Sequence, residues 1–222
     1  MPKTLALIHT VANLTTLFNG LCDELLPDVK RFHIADEGLL RIVLNAGGLT
    51  PLAYRRVAEN ALCAHQAGAD CILVTCSSIS PCVDVAQMMV PIPVLKIDEP
   101  MADKAVQMGT RIGVLATAPT TLKPTSELIA ARSALAGKAT QVQAVLAEGA
   151  YAFLMAGDLP RHDLIVTEHL RRLMATSDVV VLAQASMARI ADALPAAEKP
   201  IPILSSPRLG VTRAADVVAR LS

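Results

Sequence analysis

The sequence predicts an α/β protein made of two similar lobes, each with a roughly four-stranded parallel sheet flanked by helices. Two observations predict this fold. Short apolar runs alternate with longer amphipathic segments, which is typical of parallel strands covered by helices on both faces. The second half of the chain also repeats the pattern of the first. Ligands of such sheets bind at the carboxyl ends of the strands, so we expect the active site in the cleft between the lobes.

The short apolar runs are the predicted strands. They cover residues 5–8, 30–34, 71–75, 94–97, 112–116, 141–146, 179–183 and 203–205. The segments between them place apolar residues at helical spacing, as residues 51–66 illustrate. Gly68 and Gly109 end predicted helices. Pro119 and Pro207 stand where the chain leaves a strand for a helix, a position that suits proline.

An internal repeat indicates that the two lobes share one plan. TLALIHT at 4–10 resembles RIGVLAT at 111–117, ADCILVTCSSI at 69–79 resembles SDVVVLAQASM at 177–187, and IPVLK at 92–96 resembles IPILS at 201–205. The three matches keep the same order and nearly the same offset. The offset is longer than the period of any solenoid repeat.

Composition excludes several classes of protein. Twenty Lys and Arg balance twenty Asp and Glu, which argues against a nucleic-acid binder. The chain has no Trp, two Tyr and three Phe, so stacking platforms for bases are not expected. We find no uncharged apolar stretch long enough to span a membrane, and therefore predict no membrane partner.

Cysteine and histidine usage predicts a cytoplasmic protein with reduced thiols and no metal. The five cysteines are odd in number, and CxxC and HExxH motifs are absent from the sequence. Three cysteines on apolar faces are predicted to lie in the core, namely Cys22, Cys63 and Cys71; Cys82 is predicted to be structural. Three histidines with charged neighbours in helical segments are predicted at the surface, namely His65, His162 and His169.

Cys76 is the strongest candidate for a reacting group. In ILVTCSSISP an apolar strand ends at Cys76, and Ser77, Ser78 and Pro81 lead into a helical segment. Free N–H groups at a helix start stabilise a thiolate, and together with the serine hydroxyls they suit a carboxylate. The alternative is structural, with Cys76 as a small buried side chain and the serines as helix caps.

Two similar junctions lie in the second half of the chain. Thr117, Thr120 and Thr121 follow the strand in GVLATAPTT, where their hydroxyls suit an anion or simply cap the helix. In LAQAS, the repeat places Gln184 where Cys76 stands in the first half. An amide orients a substrate but is neither base nor nucleophile; the alternative is a capping region with Gln184 at the surface.

His9, Thr10 and Asn13 stand at the end of the first strand. His9 is either an acid–base group that titrates near neutral pH or a hydrogen-bonded structural histidine at a strand end.

Together, these segments make the chain similar to the aspartate/glutamate racemase superfamily, which includes hydantoin racemases, maleate isomerases and arylmalonate decarboxylases. The resemblance covers most of the chain and rests on TCSS at 75–78, GVLATAPTT at 113–121 and LAQAS at 182–186. It implies two pseudo-symmetric lobes, a substrate at their interface and no cofactor. In racemases of this family, a cysteine from each lobe flanks the substrate carbon; one thiolate removes the proton and the other thiol delivers one.

The resemblance also implies roles for individual residues. Cys76 matches the first family cysteine, but the second falls on Gln184, so a symmetric two-cysteine racemisation is not available. His9 and Thr10 replace the Asp-Ser pair of glutamate racemases, so an amino-acid ammonium group loses its usual partner. The predicted acid–base groups are Cys76 and His9, and the predicted substrate-binding residues are Thr10, Asn13, Ser77, Ser78, Thr117, Thr120, Thr121, Gln184, Ala185 and Ser186.

We expect residues 1–97 with 207–222 to form the first lobe and residues 98–206 the second. The resemblance implies that a C-terminal helix, at about residues 207–221, packs on the first lobe. A small carboxylate substrate and further copies of the chain in a homo-oligomer are the expected partners.

The predicted function is that of a cofactor-independent racemase or isomerase. Cys76 moves a proton at the carbon beside a carboxylate of a small amino acid or carboxylic acid. One alternative is a decarboxylase or lyase that needs a single cysteine. The other is a carboxylate-binding protein without activity.

Overall fold

The computed structural model describes residues 2–221 and contains two compact units. The first unit runs to Asp98 and resumes at Pro207, and the second is Glu99–Ser206. Each unit contains one four-stranded sheet, and the paired strands are all parallel. The predicted α/β fold with two four-stranded parallel sheets is therefore confirmed.

The first unit is built around β1, which lies inside its sheet. In chain order its elements are β1 (Thr4–His9), α1 (Thr15–Leu25), β2 (Lys30–Ala35), α2 (Glu37–Asn45), α3 (Pro51–Gln66), β3 (Cys71–Val74), α4 (Val83–Met89) and β4 (Val94–Lys96). Short 3-10 turns cover Ala12–Leu14 and Ser77–Cys82. The strand order is β2-β1-β3-β4, and Ile8 pairs with Val74. The residues that follow β1 and β3 therefore lie side by side.

The second unit repeats this order. Its elements are α5 (Glu99–Met108), β5 (Arg111–Ala116), α6 (Pro119–Leu135), β6 (Gln141–Leu146), α7 (Ala150–Met155), α8 (Leu159–Met174), β7 (Val179–Leu182), α9 (Ala188–Ala193) and β8 (Ile203–Ser205), with 3-10 turns at Ala185–Met187 and Ala196–Glu198. The strand order is β6-β5-β7-β8, and Leu115 pairs with Leu182. The sequence repeat thus corresponds to two sheets of the same topology.

The last helix, α10 (Ser206–Val218), belongs to the first unit from Pro207 onward. Its apolar residues Val211 and Ala214 pack in one cluster with Leu5 and Leu7 of β1. This helix covers the sheet face that α1 also covers through Phe18. Helix α10 thus packs on the sheet of the first unit.

Both faces of the inner strands β1 and β3 are buried, and this fixes the direction of each of their side chains. Ala6 and Ile8 pack with α2 and α3, whereas Leu5 and Leu7 face α1 and α10. Each Leu or Ile fully buried in this way contributes about 1.5–3 kcal/mol. Side chains alternate along a strand, so residues that follow one another at the strand ends point to opposite faces.

Two surface and core predictions are wrong, and two more hold only in part. Cys63 is exposed on α3, whose buried residues Ala53, Val57, Ala61 and Ala64 form a separate stripe. His162 is fully buried, with its Nδ1 2.7 Å from Asp163 Oδ1. His65 and His169 are half-buried rather than exposed. Charged neighbours in sequence did not identify the outer face, because residues adjacent in a helix point in different directions.

Gly210 of α10 lies against the end of β4, and replacing it by alanine is expected to destabilise the first unit. A Cβ there would lie 2.2 Å from Ile97 Cδ1 and 2.9 Å from the Ile97 carbonyl oxygen, which cannot move without the backbone. We expect Gly210→Ala to lower the free energy of unfolding by about 1–3 kcal/mol in urea denaturation. The control is Gly48→Ala, whose Cβ would meet no atom of residues 2–221 within 4 Å; its effect should stay within about 0.5 kcal/mol.

Candidate active site

Cys76 lies just beyond β3, where the strand gives way to the 3-10 turn Ser77–Cys82. The residue is extended, with φ −124° and ψ 118°, and caps the turn. Its side chain is partly exposed and packs at the edge of the cluster that contains Ile8 and Val74. Cys76 therefore lies at the carboxyl end of the sheet, where ligands of parallel sheets bind.

Several hydrogen-bond donors surround the Cys76 sulfur. They are the hydroxyl of Thr10, the backbone N–H groups of Ser78 and Ile79, and the hydroxyl of Ser78. Each of these favours the thiolate. Burial nevertheless outweighs them and raises the pKa of the Cys76 thiol above its ordinary value. The site contains the expected thiolate-stabilising groups, but in the resting state the sulfur keeps its proton.

The two serines after Cys76 are directed differently. Ser78 donates to the sulfur, whereas Ser77 donates to the carboxyl group of Asp98, which is fully buried beyond β4. Ser80 also donates to Asp98 Oδ1 at 2.5 Å. Burial raises the pKa of Asp98 despite these hydrogen bonds. Ser77 thus holds the turn against β4, a role that its place beside Ser78 in the sequence does not reveal.

His9 is fully buried beside Phe18, with both ring nitrogens engaged. Its Nδ1 lies 2.7 Å from Thr75 Oγ1, and its Nε2 lies 2.8 Å from His33 Nδ1. His33 Nε2 in turn lies 3.1 Å from Asn19 Oδ1. His9 shares the sheet face of Leu7, so its ring is directed away from the face on which Cys76 packs. Any acid–base role of His9 would act through Thr75 or His33.

Acid is expected to destabilise the first unit through His9. Burial, and secondarily the charge of His33, lower the pKa of His9 from 6.5 to about 4. Below pH 6.5 His9 is protonated in the unfolded chain but stays neutral in the folded protein. The free energy of unfolding therefore falls as the pH is lowered towards 4. The loss over this interval is about 3 kcal/mol. Urea denaturation between these pH values should show a smaller loss in His9→Gln, and equal losses in both proteins would contradict the prediction.

Gln184 is the counterpart of Cys76 in the second unit. It caps the 3-10 turn Ala185–Met187 with φ −127° and ψ 136°, nearly the backbone conformation of Cys76. Its side-chain oxygen accepts hydrogen bonds from Thr117 N at 2.6 Å, Thr117 Oγ1 at 2.9 Å and Ala118 N at 3.3 Å. The amide therefore ties the end of β7 to the end of β5.

The remaining predicted residues lie at the strand ends of their own units. Thr120 and Thr121 are buried in the first turn of α6, and Ala185 and Ser186 are half-buried. Asn13 is exposed in the turn after β1. Within residues 2–221, no cluster of His, Cys, Asp and Glu has the arrangement of a metal site. No helix in that range is long and apolar enough to cross a membrane.

A comparison with protein families identifies the chain. The family model described as Asp/Glu/Hydantoin racemase matches residues 41–214, which is most of the sequence. The chain belongs to this racemase family. A search of curated proteins found no match.

Solved structures show the same fold for this racemase-family chain. Allantoin racemase from Klebsiella pneumoniae superposes with a TM-score of 0.71 at 18% identity, covering 98% of this chain and 88% of the other. Glutamate racemase from Francisella tularensis, solved with D-glutamate, gives 0.75 at 13% identity, covering 98% and 81%. Aspartate racemase from Picrophilus torridus gives 0.71 at 12% identity, covering 96% and 94%.

The structure adds four residues to the candidate site of this racemase-family member. Thr75 and His33 are hydrogen-bonded to His9, and Asn19 is hydrogen-bonded to His33. Asp98 accepts hydrogen bonds from Ser77 and Ser80 of the 3-10 turn. Only Thr75 and Asp98 had a sequence signal, because each follows an apolar run at a strand end. His33 lies inside a predicted strand and Asn19 in a helix, so their contact with His9 depends on tertiary structure.

Proposed function

We propose that this racemase-family member moves a proton at the carbon beside a carboxylate of a small acid, without a cofactor, through Cys76. The observation that carries the proposal is the position of Cys76, a partly exposed residue at a strand end, with the Thr10 hydroxyl and the N–H groups of Ser78 and Ile79 directed at its sulfur. The family is known from the sequence match; the role of Cys76 and the substrate class are the proposal.

In the proposed proton-transfer step, the Cys76 thiolate forms an S–H bond with the substrate proton as the C–H bond breaks. The electron pair of that bond moves into the carboxylate as an enolate. Hydrogen-bond donors positioned to stabilise the negative charge of the forming enolate supply a large share of the rate enhancement in this kind of reaction. Because burial raises the pKa of the Cys76 thiol, we expect the rate of this step to increase with pH above neutrality.

A single acid–base group is proposed because Gln184 offers no second one. Its amide oxygen is occupied by three hydrogen bonds from Thr117 and Ala118. An amide does not exchange protons with carbon at neutral pH. We therefore propose that Cys76 removes a proton and returns it to the same face. The substrate contacts of Asn13, Ser186 and the threonines of α6 remain predictions from the sequence.

The protonated state of Cys76 also favours a second candidate, a decarboxylase. In that reaction the C–C bond to a carboxylate breaks, carbon dioxide leaves, and the electron pair remains as an enediolate. The Cys76 thiol then gives its proton to carbon, and the resulting thiolate regains one from solvent. A raised thiol pKa suits this step because the sulfur holds its proton before the reaction begins.

Proton NMR in heavy water separates the two candidates. The purified protein is incubated with aspartate, glutamate, a hydantoin, and malonates with one alkyl or aryl substituent. Loss of the α-proton signal with the acid intact supports proton transfer by Cys76. Loss of carbon dioxide with one deuterium in the product supports the decarboxylase. If neither occurs but an acid raises the melting temperature, the protein binds carboxylates without turning them over.

A further inference from the structure

Hydrogen-bond directions around His9 follow from Arg31, which can only donate. Arg31 Nε lies 2.7 Å from Asn19 Oδ1, so the amide oxygen faces the guanidinium. His33 Nε2 lies 3.1 Å from the same oxygen and must donate to it. One fixed charge at the outer end thus places the proton of the His33 ring on Nε2.

The remaining directions follow from this placement when both rings are neutral. His33 Nδ1 carries no proton, so it accepts from His9 Nε2 at 2.8 Å. His9 Nδ1 then accepts from the Thr75 hydroxyl at 2.7 Å. In this series of hydrogen bonds, each group donates to the next one in the order Thr75, His9, His33 and Asn19.

One added proton reverses the inner half of this chain. The added proton binds to His9 Nδ1, which becomes a donor to Thr75 Oγ1, while the proton already on His9 Nε2 remains between the two rings. The Thr75 hydroxyl then turns to the carbonyl oxygen of Ile8, which is already 3.0 Å away. All groups stay satisfied in both states. A second proton is opposed, because two N–H groups would face each other across 2.8 Å.

We propose that His9, His33 and Asn19 form a one-proton switch that sets the charge beside the Cys76 thiol. His9, the last residue of β1, is hydrogen-bonded to Thr75, which follows β3; the next residues of these two segments are Thr10 and Cys76, which are themselves hydrogen-bonded. A positive charge on the histidine pair, one residue back along the chain and on the other face of the sheet, favours the Cys76 thiolate. The inference rests on the proposed function only in taking Cys76 as the reacting group.

The surroundings of the pair favour its neutral state. Burial lowers the pKa of His9 and of His33, and the charge of Arg31 lowers that of His33 further. The charged group that acts on His33 is Arg31 on β2, which is paired with Asp23 of α1 at 2.5 Å; Cys22 of α1 packs in the same cluster as Leu7. Thr75, which follows β3, is hydrogen-bonded to His9. Helix α10 contributes only apolar residues to the cluster around Leu7 and Phe18, namely Val211, Ala214 and Val218. Arg208 of α10 is paired with Glu24 at the surface.

Nitrogen-15 NMR of the histidine rings in the wild-type protein tests the proton positions without any variant or substrate. Near pH 7 we expect both rings to be neutral, with the proton of each on Nε2. A proton on Nδ1 of His9 under these conditions would overturn the assigned directions. The result does not depend on catalysis, so it remains informative if the proposed reaction is not found.

The Asn19→Asp variant tests the link to Cys76. A carboxylate in place of the amide oxygen favours a proton on the His33 pair and should shift the His9 proton to Nδ1 near pH 7. The rate of Cys76 alkylation by iodoacetamide, followed by mass spectrometry in a Cys63→Ser background, should then increase about threefold to tenfold. Asn45→Asp, which adds the same charge at an exposed position of α2, is the control and should leave the rate unchanged. Equal alkylation rates in the two variants, or an unprotonated pair in Asn19→Asp, would overturn the switch.

Discussion

Replacing Cys76 by serine is expected to lower the rate of α-proton exchange by about 10²–10⁴-fold, the range that a positioned acid–base group contributes. Serine keeps the size and a hydrogen-bonding atom, but its hydroxyl does not ionise under conditions in which a thiol does. The measurement is deuterium incorporation by NMR, with the acid that the wild-type protein accepts. The same substitution should leave the free energy of unfolding nearly unchanged, because the side chain is partly exposed.

Cys63→Ser is the matched control for this loss. Cys63 is exposed on α3 and belongs to none of the contacts around the Cys76 sulfur. Its variant should exchange at the wild-type rate. Exchange in Cys76→Ser within tenfold of the wild-type rate would contradict the assignment of Cys76 as the reacting group.

The inner strands β1, β3, β5 and β7 were predictable because strands buried on both faces have short, almost entirely apolar sequences. Residues 141–146 and 203–205 coincide with β6 and β8, and the other predicted strands differ from the structure by one or two residues. Matching strand orders in the two units explain why the repeat was visible. The ends of parallel strands meet at one edge, so Thr10 and Cys76 could be expected to lie together.

Side-chain directions beyond the strand ends were not predictable. Ser77 and Ser78 are adjacent and identical in type, yet Ser77 contacts Asp98 while Ser78 contacts the sulfur. The sequence also does not show which of two opposing effects on the pKa of a group is larger. The N–H groups at the turn were expected to give a thiolate, but burial of Cys76 prevails over them. His9 shows the same limitation, because its partner His33 lies on a different strand.

Replacing Gln184 by cysteine is expected to raise the ratio of inversion to exchange by about 10- to 100-fold, because a second acid–base group becomes available. Gln184 occupies in its own unit the place that Cys76 occupies in the first, with nearly the same backbone angles. The wild-type protein should exchange the α-proton with deuterium without inverting the centre. The measurement combines NMR for exchange with chiral chromatography for inversion.

The control must account for what the substitution removes. Gln184 accepts hydrogen bonds from Thr117 and Ala118, and losing such an acceptor costs about 1–3 kcal/mol of stability for each donor left unsatisfied. Gln184→Ser loses the same carbonyl without adding a thiol. It should therefore show the same destabilisation as Gln184→Cys and no inversion. A wild-type protein that inverts as fast as it exchanges already has a second base, and this result would reject the one-cysteine mechanism. His9→Asn then tests His9 as that base: the buried ring engages Thr75 and His33 through both nitrogens, so we expect inversion to survive its loss.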